Sequence, residues 1–235
     1  MLTLGLVGRE YEDTILNCGN IILGETNSIN QAMKSVGGMF NIPPIEGVTR
    51  SYFICGLKKA VIINEEINSS RTSFTYTAHD EYHLDTPKLY NCHWAHIVYV
   101  DDICEELVNQ LSNDLLIPAN LSLDFCKTED RRQYLPLMKK CKLVFDSRER
   151  KELWSDINMP TPVILHDPDG CECYVDGLTT YKFNNKKIEN LKVNGAGDIF
   201  AAYFIKTYND SGLKKAVSNA CALTTRKLKE INEGK

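Results

Sequence analysis

The most informative segment of the chain is Val193-Asn194-Gly195-Ala196-Gly197-Asp198-Ile199-Phe200-Ala201-Ala202-Tyr203-Phe204-Ile205, in which a glycine loop is followed by an apolar, helix-forming run. Glycines let a backbone approach a ligand closely, and the free N–H groups at a helix start favour an anion. The stretch therefore predicts a phosphate or oxyanion site. Taken alone, the same residues also fit a tight turn with an acidic helix start.

Asp198 falls in the first turn of this helix, where the dipole favours its ionised form and makes it a weak base. A weak base suits phosphoryl transfer, because that reaction needs positioning and charge stabilisation more than strong proton abstraction. The sequence therefore identifies Asp198 as the first candidate for a catalytic residue.

From about residue 94 onward, short apolar runs alternate with helical periodicity. Strands are predicted at 94–100, 121–125, 142–145 and 162–166, and helices at 103–112, 129–140, 148–156, 196–208 and 212–230. Strands separated by helices of this length form right-handed crossovers and a mainly parallel sheet. The C-terminal two thirds of the chain is therefore expected to be α/β.

The first 90 residues have a different pattern, with strands predicted at 2–7, 21–23, 49–55, 60–64 and 71–77 and one helix at 28–36. Polar and apolar residues alternate through 71–77, which suits an antiparallel strand with one solvated face. We expect a small sheet that projects from the α/β body. The chain is interpreted as one domain over 1–235, with a lid formed by strands within about 10–90.

Composition narrows the range of partners. The 235 residues include 43% hydrophobic and 25% charged residues, and the net charge is −4. Lys and Arg are nowhere dense enough to follow a phosphate backbone, so nucleic acid is not an expected partner. No signal peptide and no run of about 18 apolar residues is visible, so we expect a cytoplasmic protein without a membrane partner. The nine scattered cysteines are expected to be free, buried thiols.

Gly195-Ala196-Gly197-Asp198 followed by an apolar helix resembles the C-terminal signature of the PfkB (ribokinase-like) family of sugar and nucleoside kinases. Other segments resemble parts of that family in the same order. They are Val7-Gly8 with Asp13, the shortened glycine motif Gly37-Gly38-Met39-Phe40-Asn41, the lid strands Ala60-Val61-Ile62-Ile63 and Ser70-Arg71-Thr72-Ser73-Phe74, the central strand Leu121-Ser122-Leu123-Asp124, the magnesium motif Asp146-Ser147-Arg148-Glu149, the nucleotide strand and turn Pro162 to Gly170, and the adenine-bordering helix Ser218 to Leu223.

This resemblance implies a three-layer α/β/α fold with a mainly parallel sheet and an N-terminal β lid. It also implies transfer of the γ-phosphate of ATP, with Mg²⁺, to a hydroxyl of a sugar or small polyol, and a homodimer formed through lid strands. The implied catalytic residues are Asp198, Gly195, Ala196 and Gly197, and the substrate-binding residues are Asp13, Gly37, Gly38, Asn41 and Arg71. The implied nucleotide-binding residues are Asn194, His166, Asp167, Gly170 and Asn219, and Glu149 and Asp146 would hold magnesium through water.

Three departures from the family pattern leave alternatives open. Lys192 replaces an acidic residue before the glycine loop, Asp146 replaces an asparagine, and His166-Asp167 replace residues that include a glycine. These differences favour a non-catalytic ligand-binding or regulatory protein on the same scaffold. A vitamin-type kinase, acting on pyridoxal or a hydroxymethylpyrimidine, is the other alternative, and the lid-like strands argue against it.

Histidines provide a rival metal site. His79, His83, His93 and His96 fall within 18 residues, together with Cys92. Two histidines four apart on a helix can share a metal ion, but Asp80 stands where the zinc-protease motif requires Glu. The cluster is interpreted as surface or loop histidines.

Overall fold

The structure, a computed structural model, describes residues 1–18, 29–65, 70–80, 86–113, 120–127, 130–158, 161–175, 178–185 and 195–233. Ten strands lie in one sheet: β1 Leu2–Cys18, β2 Ile29–Gly37, β3 Val48–Glu65, β4 Ser70–Asp80, β5 Trp94–Ile97, β6 Leu121–Asp124, β7 Leu143–Ser147, β8 Val163–Asp167, β9 Gly170–Val175 and β10 Leu178–Asn184. The α-helices are α1 Thr86–Tyr90, α2 Glu105–Asn113, α3 Leu135–Met138, α4 Ala196–Ser211 and α5 Leu213–Asn232. Short 3₁₀ helices cover Gly38–Asn41, Val100–Asp102, Arg131–Tyr134 and Arg148–Trp154.

The strand order is β10-β9-β8-β7-β6-β5-β1-β3-β4, and β2 pairs with β1. The pairs from β3 through β1, β5, β6 and β7 to β8 are parallel, whereas β8/β9, β9/β10, β3/β4 and β1/β2 are antiparallel. Every residue of β5 and β6 is buried, as expected for parallel strands that are covered on both faces. The prediction of a mainly parallel α/β sheet is confirmed.

Two apolar clusters cover the two faces of the sheet and make the molecule three-layered. One contains Leu107 and Leu111 of α2, Leu137 of α3 and Trp154. The other contains the apolar faces of α4 and α5, including Phe200, Phe204 and Ala216. Burial of this much apolar surface is the main favourable term in folding, and it places the start of α4 against the carboxyl ends of the parallel strands.

A four-stranded extension projects from the body. Residues 11–18 of β1 pair with β2, residues 56–65 of β3 pair with β4, and β1 and β3 pair with each other, so that the order is β2-β1-β3-β4. We call these residues the lid sheet. It lies where the sequence predicted a small β lid.

The helix predicted at 28–36 is wrong: this segment is β2, antiparallel to β1, with Gly37 opposite Tyr11. The local apolar spacing fitted a helix, but pairing with a distant strand outweighs local propensity. The strands predicted at 49–55 and 60–64 are one strand, β3, which continues through Gly56 at a φ of 151°. The strand predicted at 21–23 and His83 lie outside the described residues.

The predicted helix 129–140 is shorter than expected, since the described part consists of the 3₁₀ turn Arg131–Tyr134 and α3. None of the described helices is both long and apolar enough to cross a membrane. The described cysteines, including Cys171 and Cys173 side by side on β9, form no disulfide, and most are buried.

Candidate functional site

The start of α4 brings together two residues that the sequence proposed separately. Asp198 is only 1% exposed in the first turn of α4, and the side-chain amide of Asn41 donates a hydrogen bond of 2.8 Å to its Oδ2. Gly195 precedes the helix with a φ of 75°, a left-handed conformation that suits glycine. A Cβ atom at Gly195 would lie 2.6 Å from the Cβ and Cγ of Asn41. Glycine at this position is therefore needed both for the backbone conformation and for the close approach of Asn41.

Tyr99 is a third member of this group, and the sequence analysis did not identify it. Its phenol is hydrogen-bonded to Asp198, and burial, together with the charges of Asp198 and Asp124, raises the pKa of Tyr99 well above its ordinary value. The phenol therefore stays protonated and donates to the carboxylate. Tyr99 has a φ of 57°, and its backbone N–H donates to Oδ1 of Asp124. A bulky residue at positive φ has no signal in the sequence.

The predicted substrate-binding residues of the lid sheet lie next to this group. A Cβ atom at Gly37 would come within 2.5 Å of Oδ2 of Asp13, and one at Gly38 within 2.8 Å of the Tyr11 ring. The Tyr11 ring in turn meets the Tyr99 ring edge-on, with centroids 5.6 Å apart. Asp13, Gly37 and Gly38 are thus joined to Asp198 through two aromatic rings.

Arg71, the remaining residue of that set, has a described backbone in β4, where it pairs with position 64 of β3. Its side chain lies outside the described part of the chain. The substrate role of Arg71 stays a prediction.

A cavity of about 260 Å³ lies on the other side of the α4 start. Its walls come from the end of β7, the β8–β9 turn, α4 and α5: Ser147, Glu149, His166, Asp167, Pro168, Asn185, Ala196, Gly197, Phe200, Cys221, Thr224, Thr225 and Leu228. Five residues predicted for the nucleotide, catalytic or magnesium sets are among them: His166, Asp167, Glu149, Ala196 and Gly197. The apolar walls suit the flat face of a nucleotide base.

His166 occupies the position between the cavity and the glycine loop. Its ring lies 4.6 Å from that of Phe200, and a Cβ atom at Gly197 would come within 3.3 Å of the His166 ring. Burial, with the positive charges of Arg150 and Arg148, lowers the pKa of His166 to about 4. The imidazole ring is therefore neutral at pH 7, and it can form a hydrogen bond without adding a positive charge to the site.

Arg148 neutralises the carboxylate that the sequence placed beside the nucleotide. Nη1 of Arg148 donates to both oxygens of Asp167, at 3.0 and 2.9 Å, and Nε lies 3.2 Å from Glu172. The negative charge of Asp167 would otherwise repel a phosphate. Sequence reasoning missed Arg148 because its partner lies on the neighbouring strand rather than nearby in the chain.

The two residues predicted for magnesium have different environments. Glu149 is exposed at the start of a 3₁₀ helix and lines the cavity. Asp146 is buried, and its carboxylate accepts hydrogen bonds from Arg150 at 2.6 Å, Arg131 at 3.0 Å and Trp154 at 2.9 Å. Burial raises the pKa of Asp146, and the two arginines oppose that shift. This geometry favours a structural role for Asp146, whose oxygens are already engaged.

Two predicted nucleotide-binding residues within the described part of the chain, Gly170 and Asn219, are not brought to the cavity. Gly170 lies in the β8–β9 hairpin, where a Cβ atom would come within 2.0 Å of the Phe183 carbonyl, so packing alone explains this glycine. Asn219 is on the exposed side of α5 and accepts a hydrogen bond from Ser218. Asn194 lies outside the described residues. The face of α5 that does line the cavity has the helical spacing 221, 224, 225 and 228, a signal that periodicity could have provided.

The histidine cluster does not form a metal site within the described ranges, which contain no group of three metal-ligating side chains. His93 is exposed, but His96 is completely buried in β5, so its interpretation as a surface or loop histidine is wrong. His96 hydrogen-bonds to Ser122 at 3.0 Å, and burial lowers its pKa to about 3.

Comparisons with known proteins agree with this architecture. No protein-family model matches the sequence, and no curated protein does. Among solved structures, a ribokinase from Thermotoga maritima is similar with a TM-score of 0.67 and 14% identity, over 95% of this chain and 92% of that one. A sulfate complex of a pyrophosphate-dependent kinase in the ribokinase family has a TM-score of 0.68 and 16% identity, over 96% and 95%. A nucleoside kinase from Methanocaldococcus jannaschii has a TM-score of 0.66 and 15% identity, over 99% and 92%. These similarities confirm the predicted ribokinase-like fold.

Proposed function

We propose that this protein is a kinase that transfers the γ-phosphate of ATP to a hydroxyl of a sugar or related small polyol. The observation that carries the proposal is the placement of Asp198. This buried carboxylate lies at the start of α4, between a cavity that suits a nucleotide and a group of polar lid residues that suits a polyol. A base between donor and acceptor is the arrangement that phosphoryl transfer requires.

In this mechanism Asp198 accepts the proton of the attacking hydroxyl. Asn41 and Tyr99 hold the carboxylate by hydrogen bonds, so its orientation is fixed before substrate arrives. The backbone N–H groups of Gly195, Ala196 and Gly197 lie at the positive end of the α4 dipole and would stabilise the charge that develops on the transferring phosphoryl group. Closure of the lid sheet over the acceptor would exclude water, which would otherwise compete for the phosphoryl group.

The cavity favours a nucleotide over pyrophosphate as the donor. One of the similar structures is a pyrophosphate-dependent kinase, so the fold alone does not identify the phosphate donor. Here the walls include Phe200, Leu228 and Cys221, which are apolar groups that pyrophosphate cannot use. An adenine ring would bury these groups, and that burial contributes affinity.

Glu149 is the residue that best fits a magnesium role, because its exposed carboxylate lines the cavity beside the glycine loop. Mg²⁺ that arrives with ATP keeps several waters and needs only one or two protein carboxylates. Glu149 would hold such an ion through water. When bound, magnesium supplies positive charge to the donor phosphates.

Two of the departures from the family pattern, at Asp167 and Asp146, no longer argue for a non-catalytic protein once their charged neighbours are considered. Arg148 offsets the charge of Asp167, and Arg131 and Arg150 offset that of Asp146. Neither carboxylate therefore adds uncompensated negative charge beside the donor phosphates. The third departure, Lys192, lies outside the described residues.

The test is ADP formation from Mg·ATP across hexoses, pentoses, nucleosides and vitamin precursors, with Asp198→Asn beside the wild type. We expect turnover on one compound class and a loss of about 10²–10⁴-fold in the variant, because the proton acceptor is removed. Nucleotide affinity should be retained, because Asp198 does not line the cavity. Pyrophosphate in place of ATP should give no turnover. Near-normal turnover in Asp198→Asn would exclude this mechanism, and a folded wild type that binds ligand but is silent across the panel would favour the binding protein.

A further inference from the structure

Two cysteines meet at the wall of the cavity. Cys221 of α5 lines the cavity and is 5% exposed, whereas Cys171 of β9 does not line it and is completely buried. The two thiols are hydrogen-bonded to each other. One thiol that a small molecule can reach therefore has a second, protected thiol beside it. We call Cys171 and Cys221 the thiol pair.

The backbone of α5 explains why the two sulfur atoms are close. Sγ of Cys171 lies 3.3 Å from the carbonyl oxygen of Val217, which is one helical turn before Cys221 in α5. Side chains of a helix lean toward its N-terminus, so the side chain of Cys221 lies over the turn that begins at Val217. Both sulfur atoms are therefore next to the same carbonyl group, in a part of the fold where α5 packs on β9.

The two thiols differ in reactivity. The hydrogen bond from Cys171 and the positive charge of Arg148 lower the pKa of Cys221, although burial opposes that shift. The same hydrogen bond, together with burial, raises the pKa of Cys171. The thiolate rather than the thiol is the nucleophile of cysteine chemistry. Cys221 is therefore the thiol that attacks an oxidant, and Cys171 stays protonated beside it.

The two thiols also differ in access. Hydrogen peroxide is only slightly larger than water, and the cavity of about 260 Å³ has room for it beside Cys221. An oxidant from solvent meets Cys221 before Cys171, because only Cys221 lines the cavity. Cys173 lies on the same face of β9 as Cys171 and is also completely buried, and burial raises its pKa to about 12. Cys173 is therefore a matched thiol that should not react.

We propose that the thiol pair is a site of reversible oxidation by a peroxide, and that its disulfide lowers the affinity of the cavity for a nucleotide. In the first step the Cys221 thiolate attacks one oxygen of hydrogen peroxide. An S–O bond forms, the O–O bond breaks, and the leaving hydroxide takes up a proton to become water. In the second step the sulfur of Cys171 attacks the sulfenic acid on Cys221. The S–S bond forms, the S–O bond breaks, and the second hydroxide leaves as water with the proton of Cys171. Two thiols and one peroxide thus give one disulfide and two waters.

Formation of the disulfide changes the wall of the cavity. An S–S bond holds two sulfur atoms about 2.05 Å apart, well inside hydrogen-bonding distance. The sulfur of Cys221 is therefore drawn toward β9, and the apolar wall that suits a nucleotide base changes shape. A difference of one methylene group in an apolar pocket alters recognition by about 10–200-fold. The effect on affinity rests on the proposed nucleotide site, whereas formation of the disulfide does not.

Passive packing of two buried thiols is the competing explanation. A free cysteine behaves as a small apolar residue and is among the most buried residue types. Passive packing predicts that peroxide oxidises the more exposed cysteines Cys104 and Cys126 and leaves the thiol pair reduced. The order in which the cysteines react therefore distinguishes the two explanations.

The experiment treats the folded, reduced protein with an equimolar amount of hydrogen peroxide. Peptide mass spectrometry then identifies disulfide-linked peptides, and dimedone traps any sulfenic acid. The proteins are the wild type, Cys221→Ser, Cys171→Ser and the control Cys173→Ser. Thermal unfolding in dithiothreitol checks the folding of each variant, and the wild-type peptides alone decide whether the disulfide forms if a variant unfolds. Calorimetric titration with Mg·ADP is run on the reduced, the oxidised and the re-reduced wild type.

We expect the wild type and Cys173→Ser to form the disulfide between Cys171 and Cys221, and dithiothreitol to reverse it. Oxidation should weaken the binding of Mg·ADP by about tenfold or more. Cys171→Ser should be trapped by dimedone at Cys221, because the second thiol is missing, whereas Cys221→Ser should not be trapped at Cys171. The proposal is refuted if Cys104 or Cys126 is oxidised while the thiol pair stays reduced, or if the disulfide forms and Mg·ADP binds as before.

The same measurements separate this proposal from the proposed function. Formation of the linked peptide in a reduced protein that neither binds Mg·ADP nor turns over any acceptor would sustain the site of oxidation and overturn the kinase. Binding of Mg·ADP and turnover, with no disulfide formed by peroxide, would sustain the kinase and overturn the thiol pair.

Discussion

Replacement of Gly195 by alanine tests whether the glycine loop positions the side chain of Asp198. Gly195 has a φ of 75°, which costs a side-chain-bearing residue about 1–2 kcal/mol. The new methyl carbon would also lie 2.6 Å from two carbons of Asn41, where ordinary contacts begin near 3.4 Å. Asn41 must therefore move by about 1 Å, and it is the residue that holds Asp198 at 2.8 Å.

Gly212→Ala is the matched control for this substitution. Gly212, between α4 and α5, has a φ of 81° and a ψ of 176°, a conformation that costs other residues about 1–3 kcal/mol. An added Cβ atom there meets nothing within 4 Å. Gly212→Ala therefore imposes a similar loss of stability without touching Asn41.

Two measurements are compared across the three proteins: urea unfolding and steady-state ADP formation with the best acceptor from the panel. We expect both variants to lose stability to a similar degree, whereas only Gly195→Ala loses turnover, by about 100-fold, because a 1 Å misplacement near the chemistry costs roughly that factor. Equal turnover in Gly195→Ala and Gly212→Ala would refute the positioning of Asp198 by Asn41.

Two further predictions concern stability. Arg131→Met should lower the free energy of unfolding by about 3–5 kcal/mol, because it leaves Asp101 and Asp146 buried without the cation that pairs with both. Arg132 is an exposed neighbour and serves as the control. The free energy of unfolding of Arg132→Met should stay within about 0.5 kcal/mol of the wild-type value in the same urea titration. Acidification from pH 7 to 5 should destabilise the wild type more than His96→Gln. The pKa of His96 is about 3 in the folded protein and near 6.5 in the unfolded chain, so the unfolded state binds the extra proton as the pH falls. The resulting loss in the free energy of unfolding, relative to the variant, approaches about 2 kcal/mol at pH 5. Asp124, whose pKa burial raises, acts in the opposite direction in both proteins, and parallel pH profiles for the two would contradict the assignment.

The arginines of the body help to explain how three acidic side chains can lie near one edge of the sheet. Asp101, Asp124 and Asp146 follow or end neighbouring strands, and their carboxylates converge because parallel strands share one carboxyl edge. Arg131 pairs with two of them while its guanidinium lies 4.0 Å from the centre of the Phe125 ring. Such buried pairs are costly to desolvate, and removal of one partner is more costly still.

Much of the body could be predicted from local pattern. The alternation of apolar runs and helical periodicity after residue 94 predicted β5 to β8 and the helices α2, α4 and α5, with shifted ends. It did not predict β9 and β10, and the helix predicted at 148–156 is the 3₁₀ helix Arg148–Trp154. In the lid, the strand predicted at 71–77 is part of β4, whereas the helix predicted at 28–36 is the strand β2. In the candidate site, Asp198 and Asn41 were both identified, although nothing in the sequence measured the 2.8 Å between them.

Local sequence pattern was enough to predict the α/β class, the glycine loop before α4 and the acidic residue in its first turn, because these depend on neighbours within one helical turn or one strand. Other features depend on the folded chain: β2 is a strand, Tyr99 binds Asp198, Arg148 neutralises Asp167 and Lys58 reaches Asp102. The side chains in the last three contacts lie between 19 and 99 positions apart in the sequence. The paired residues of β1 and β2 lie 11 to 26 positions apart. Hydrogen bonds and ion pairs gain their strength from burial and geometry, and both arise only when the sheet brings distant segments together.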